Sequence, residues 1–295
     1  MSSPPTSSPI PIYFQNMSPV PPEPTASAVP PGVPVRSKST EGARSSEETH
    51  AALPEPLLRL ELRNLRHPST STFLSNVDPT VDIAKLVETV VKLLYYPSHR
   101  HDTTPTQTST STRPQPYQPH IPGTRSITIV PRDMDGVAYT TGLELDDDHK
   151  EIHLSLSYIT HVRESNKSDA AKIRHELMGV LCHELVHCYQ YNGEGHAPGG
   201  LIEGIADYVR LKAGYVPPHW KREAGGKVHW DAGYQTTGYF LDWVERSYGE
   251  GSVRRINEAL RRTKYEEVKF WKGMFGTTVQ ELWEGYTKEV KASES

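Results

Sequence analysis

The sequence predicts an α+β domain in which a small mixed sheet comes first and a run of helices follows. Three observations carry this. Leu58, Leu60 and Leu62 alternate with Arg59, Glu61 and Arg63, the period-two pattern of a half-buried strand. The same alternation recurs at Ile152, Leu154, Leu156 and Tyr158 against His153, Ser155 and Ser157. From residue 168 onward the apolar positions repeat at helical spacing instead, so strands and helices are segregated and a repeating βαβ architecture is excluded.

The elements follow in order. Residues 1–52 hold eleven of the 25 prolines, all eleven before Val35, with abundant Ser and Thr and few core-forming residues. Such a segment cannot bury enough apolar surface to fold, and it is expected to be a disordered tail ahead of a domain over residues 53–293. After the first strand, Val81 to Tyr95 reads as an amphipathic helix through Ile83, Leu86, Val90 and Leu94. Residues from about 98 to 123 are rich in Thr, Pro and Gln and read as a low-complexity insertion. Strands are expected at Ser126 to Val130, Gly136 to Thr140 and Glu151 to Tyr158. Helices are expected at Ser168 to Tyr191, Leu201 to Ala213, Tyr234 to Ser247, Ser252 to Arg262 and Thr278 to Lys291, with Ser168 or Asp169 as the cap of the first.

Composition removes several function classes. The net charge is -4, so the basic face made by Arg254, Arg255, Arg261 and Arg262 reads as ordinary solvation, and no nucleic-acid partner is expected. No run of about 18 apolar residues occurs, so no membrane span is expected. The best candidate for a secretion signal, Ile10-Pro11-Ile12-Tyr13-Phe14, is short and broken by proline, which favours a cytoplasmic location. The two cysteines, Cys182 and Cys188, lie six apart on one expected helix, about 240° around its axis. They cannot bridge and read as reduced core residues.

The chemistry is concentrated between His183 and Asp207. His183-Glu184-Leu185-Val186-His187 is followed by fifteen residues and then by Glu203-Gly204-Ile205-Ala206-Asp207. Histidines four apart on a helix share a face about 6 Å apart, so both can reach one Zn²⁺ at roughly 2.0 to 2.1 Å. Glu184 is turned about 100° away, too far to complete the ligand set but suited to hold the attacking water as general base. A third ligand is needed. The Gly-rich stretch Asn192 to Gly200 reads as a reversal, and a returning helix brings Glu203 back to the level of the histidines. Asp207, one turn further, is placed to accept the free ring N–H of a liganding histidine and fix its tautomer. His196 is the competing third ligand, although it is not at the HExxHxxGxxH spacing, where position 193 is Gly. His175-Glu176 mimics the start of the motif but has Gly179 where the second histidine belongs.

The run HELVHCYQYNGEGHAPGGLIEGIADYVRLKAGY, from His183 to Tyr215, resembles the plant and microbial basic secretory protein family, regarded as zinc metallopeptidases of the gluzincin type. Trp230-Asp231-Ala232-Gly233-Tyr234, then Thr237 and Phe240-Leu241, is similar to the family's W-x-x-G-Y-x-x-T-x-x-F-L stretch. Gly136-Val137-Ala138-Tyr139 and Glu151-Ile152-His153 also fit, so the resemblance covers most of residues 55 to 290. It implies a zincin-like fold, and the Glu203 to Asp207 spacing is similar to the third ligand and supporting aspartate of thermolysin-like enzymes. Members are typically secreted and often basic, whereas this chain has net charge -4 and no secretion signal is recognised in it.

The expected function is that of a zinc-dependent peptidase, an endopeptidase or close relative, acting on peptide or protein substrates. His183, His187 and Glu203 hold the metal and Glu184 moves the proton. Tyr234 is the candidate donor to the oxyanion, because a phenol stays protonated at neutral pH, with His229 and Tyr208 as substitutes. The other reading is a zinc-stabilised binding or defence module with little or no hydrolysis, against which the intact Glu184 counts.

Overall fold

Strand β1 (Leu57–Leu60) opens the fold and pairs in parallel with β2 (Ser126–Arg132), which pairs in parallel with β4 (His149–Ser155). Strand β3 (Ala138–Gly142) runs antiparallel to β4 and forms the far edge, so the sheet order is β1-β2-β4-β3. The structure is a computed structural model describing residues 53–96, 119–143, 146–226 and 228–293. The expected tail at 1–52 and most of the expected insertion lie outside the described residues, and residues 119–123 form no regular element.

Among the described residues two helices lie between β1 and β2. The first, α1 (Pro68–Asn76), has no counterpart in the sequence reading. Its sequence, PSTSTFLSN, buries Phe73 as its one large apolar side chain, too little for a helical period to register. It forms because Pro68 occupies the first turn and the His67 ring nitrogen accepts from Ser69 N at 3.1 Å. The second, α2 (Asp82–Tyr95), begins one residue after the expected start and buries Ile83, Leu86, Val90 and Leu94 as the period requires.

The strand expected to run to Tyr158 stops at Ser155. Helix α3 (Leu156–Ser165) begins there because the Ser155 hydroxyl accepts from Tyr158 N at 3.1 Å and caps it. Leu156 and Ile159 face the core from the first turn of this helix, so the apolar alternation of β4 runs on across the boundary and disguises it.

The central helix is α4 (Ala170–His187), which packs against α1, α2, α3, β3 and α5 (Gly199–Lys212). Asp169 caps it, its carboxylate accepting from Ala171 N at 3.0 Å and Lys172 N at 3.2 Å. From Leu177 to Val186 every residue is buried, so this helix is a core element with no solvent face along that stretch. It ends at His187, four residues before the expected Tyr191. The chain then reverses through Gly193, Glu194 and Gly195, all at positive φ (64°, 58° and 77°), with Asn192 Oδ1 accepting from Gly195 N. Helix α5 starts two residues earlier than expected.

Helix α6 (Tyr234–Tyr248) crosses α5 closely. Beyond it α7 (Ser252–Ala259) stops three residues short of the expected Arg262, and α9 (Val279–Ser293) matches expectation within two residues. Between them α8 (Glu267–Phe275) was not foreseen from the sequence; Phe270 and Trp271 are its buried residues. Trp230, Phe240, Trp243, Trp271, Trp283 and Tyr286 form one aromatic cluster, with contacting ring centroids 5.2 to 6.3 Å apart, that ties α6, α8 and α9 together. Among the described residues the architecture is therefore mixed α and β with a small four-stranded mixed sheet, as predicted, but α1 and α2 lie between the parallel strands β1 and β2, so strands and helices are less segregated than expected. Among the described residues no helix is long and apolar enough to cross a membrane.

Candidate metal centre

The last two turns of α4 carry His183 and His187, and the second turn of α5 carries Glu203. Their ligand-type atoms converge. His183 Nε2 lies 3.0 Å from Glu203 Oε2 and 3.2 Å from His187 Nε2, and the third side of the triangle, His187 Nε2 to Glu203 Oε2, is 3.7 Å. Ligands held 2.0 to 2.1 Å from a tetrahedral zinc stand roughly 3.3 to 3.4 Å from one another, so the two-nitrogen, one-oxygen triangle has the dimensions that such an ion requires. Among the described residues this is the one group of His, Cys, Asp or Glu able to hold a metal ion.

Asp207 occupies the position expected of it. Buried to 3 % exposure, it accepts a hydrogen bond from His183 Nδ1 at 2.6 Å. A carboxylate can only accept, so Nδ1 carries the proton and Nε2 is the nitrogen turned toward Glu203 and His187. Burial works against charge on His183, yet the carboxylates of Asp207 and Glu203 outweigh it and push the imidazole up to about 10. Burial would likewise raise Glu203, but the hydrogen bond from His183 and the nearby His187 imidazole hold its carboxyl far below the usual range. The three groups thus form a preassembled anion and cation cluster.

Glu184 is buried at 6 % exposure beside this cluster. Its Oε2 accepts from the Thr140 hydroxyl of β3 at 2.7 Å, and the same hydroxyl lies 2.9 Å from the Glu184 backbone oxygen. Thr140 was read from the sequence as a strand residue and nothing more. Its partner lies 44 positions away, and no local pattern signals that contact.

Tyr234 opens α6 with its ring stacked on that of His183, centroids 6.1 Å apart and planes within 14°. The turn that delivers it is held by Thr237, whose hydroxyl donates to Trp230 O at 2.7 Å and accepts from Gly233 N at 2.9 Å. Gly233 has φ 84° and Tyr234 itself φ 47°, two successive residues at positive φ just before the ring that stacks on His183. Burial, with the negative charges of Glu203, Asp207 and Glu184 behind it, pushes the phenol up to about 12. It remains a proton donor at neutral pH.

The other sequence candidates stand apart. His196 is exposed in the reversal and its Nδ1–H donates to Glu194 O at 2.8 Å, outside the ligand triangle. His229 is exposed. Tyr208 is buried, and the acidic groups acting on it are Glu245, Asp242 and Glu250, none of them in the triangle. Cys182 and Cys188 are unpaired and buried, and burial pushes the Cys182 thiol up to about 12, as befits inert core residues.

A sequence model of the family BSP, described as peptidase of plants and bacteria, matches residues 55–286. The chain belongs to this family. The match runs from just before β1 into α9 and contains every residue of the triangle, in agreement with the resemblance to basic secretory proteins carried by the His183 to Tyr215 run. No curated protein and no solved structure matches the chain. The spacing from Trp230 to Thr237 has a physical reason in the structure: the Thr237 hydroxyl joins Trp230 O to Gly233 N and so closes the turn that precedes Tyr234.

Proposed function

We propose that this member of the peptidase family is a zinc-dependent endopeptidase, with His183, His187 and Glu203 as the metal ligands and Glu184 as the general base. The observation that carries the reading is the ligand triangle, with sides of 3.0, 3.2 and 3.7 Å, formed beside a buried Glu184. When bound, zinc supplies Lewis acidity toward a peptide carbonyl and toward water. The residues supply the rest. Glu184 accepts the proton of the attacking water as its oxygen bonds to the carbonyl carbon, then hands that proton to the amide nitrogen as the C–N bond breaks. Tyr234 donates a hydrogen bond to the oxygen on which negative charge develops, a donor that needs no change of protonation at neutral pH. Asp207 holds the Nδ1–H of His183 so that Nε2 faces the metal position.

The test is cleavage of an unfolded protein by wild type and Glu184→Gln, each with measured zinc content. Glu184→Gln is expected to keep zinc and fold while losing about 10² to 10⁴ in turnover. Turnover within a factor of about two of wild type removes Glu184 from the mechanism. A wild-type protein that gains thermal stability from zinc yet cleaves nothing supports the zinc-stabilised binding module instead.

A further inference from the structure

We infer that Thr140 is a positioning residue for Glu184, fixing which carboxylate oxygen is presented for proton transfer. The inference rests on the reading of Glu184 as general base. Thr140 pairs with Ile152 of β4, so its backbone is set by the sheet and not by the helix it touches. Its single hydroxyl proton faces two acceptors of Glu184, Oε2 at 2.7 Å and the backbone oxygen at 2.9 Å. Of these the carboxylate is the stronger acceptor, since a hydrogen bond to an ionised oxygen is roughly twice as strong as one to a neutral carbonyl.

The consequence concerns the other oxygen. A carboxylate at the end of a glutamate side chain rotates in a broad, two-fold well, so its two oxygens exchange unless something distinguishes them. Thr140 engages Oε2, which leaves Oε1 to accept the proton and holds the plane of the group while it does so. Glu184 is 6 % exposed, so in this buried setting the hydroxyl stands in for solvent around one carboxylate oxygen. Strand β3 is the sheet edge, and this contact makes the edge a fixed support for the base.

The experiment measures kcat, KM, zinc content and Tm for Thr140→Val, Thr140→Ser and each combined with Glu184→Gln. Thr140→Val, similar in shape but without the hydroxyl, is expected to lower kcat about 10- to 100-fold while KM stays within about twofold and zinc content is unchanged. Thr140→Ser is expected to restore most of the rate. In the Glu184→Gln background the valine substitution should cost no further activity, because the group it orients has gone. If Thr140→Val does not fold, Thr140→Ala carries the same comparison.

A kcat for Thr140→Val within about twofold of wild type overturns the inference. So does a rate loss that Thr140→Ser fails to rescue, or one that is equally large on the Glu184→Gln background, since either marks a strand-to-helix staple. Wild-type turnover that does not depend on Glu184 defeats the peptidase reading itself, a result visible before any Thr140 variant is made.

Discussion

Tyr234 lies face to face with His183, ring centroids 6.1 Å apart, on a turn that left-handed backbone at Gly233 and Tyr234 makes possible. Tyr234 is 43 % exposed, so a phenol beside His183 of the candidate metal centre is also open to solvent. Tyr234→Phe keeps the ring and removes the donor. It is expected to lower kcat roughly 10- to 1000-fold with KM and zinc content little changed, because the lost hydrogen bond forms mainly in the transition state. An unaltered kcat in the folded, zinc-loaded variant would leave Tyr234 as a packing residue. His229 and Tyr208 would then be poor substitutes, the first exposed and the second buried among other carboxylates.

The parts of this site that were legible in the sequence are those fixed by helical arithmetic. His183, Glu184 and His187 depend on one helix, and Asp207 stands one turn from Glu203 on another. The placement of Glu203 also survived an error, since α4 ends four residues early and α5 starts two residues early, yet the reversal still returns Glu203 to the histidines. What stayed hidden depends on contacts between distant segments. Thr140 meets Glu184 across 44 positions, and the role of Thr237 emerges only when the turn from Trp230 to Tyr234 is seen closed. Helix α1 was missed because Ser and Thr dominate it, and α3 because its capping serine sits inside an unbroken apolar alternation.

Asp207 sits behind His183 and not in the triangle, so its loss should be graded. Asp207→Asn can still accept from Nδ1–H but carries no charge, and zinc affinity or activity is expected to fall roughly 10- to 100-fold. Glu203→Ala should lose far more zinc than that, and His196→Ala should lose none. A competition titration against a chelator ranks all three. Equal zinc retention by Glu203→Ala and wild type would move the third-ligand role to another residue.

Gly204, next to Glu203, lies on the face of α5 that meets α6. A Cβ added there would stand 2.2 Å from Thr237 Cγ2 and 2.4 Å from Thr237 Cβ, both in a fully buried side chain that already holds the Tyr234 turn. Alanine favours the helix by about 1 kcal/mol, but the helices must separate to admit it, and overpacking of this kind costs about 1 to 3 kcal/mol. Gly204→Ala is therefore expected to lower Tm by a few degrees, at about 2 to 4 °C per net kcal/mol for a domain of this size. It should also lower kcat through displacement of Tyr234. A variant with unchanged melting and unchanged rate would show that the crossing is slack.

Zinc uptake should release protons, with a sign that follows from His183. Its folded value is pushed up to about 10 from an ordinary 6.5 by Asp207 and Glu203, against the opposing effect of burial. The charged form therefore stabilises the metal-free protein fully below pH 6.5, and that stabilisation fades as pH rises through about 10. A metal ligand must offer an unprotonated Nε2, so binding at pH 7 expels a proton that His183 would otherwise keep. Glu203, held low by the histidines, is already a carboxylate and contributes none. The apparent zinc affinity is expected to rise about tenfold per pH unit between roughly pH 7 and 9, levelling toward 10. Calorimetric titration in two buffers of different ionisation enthalpy counts the protons directly: about one or more should leave per zinc. A count of zero would mean that His183 is neutral before the metal arrives, and that Asp207 serves only to orient its ring.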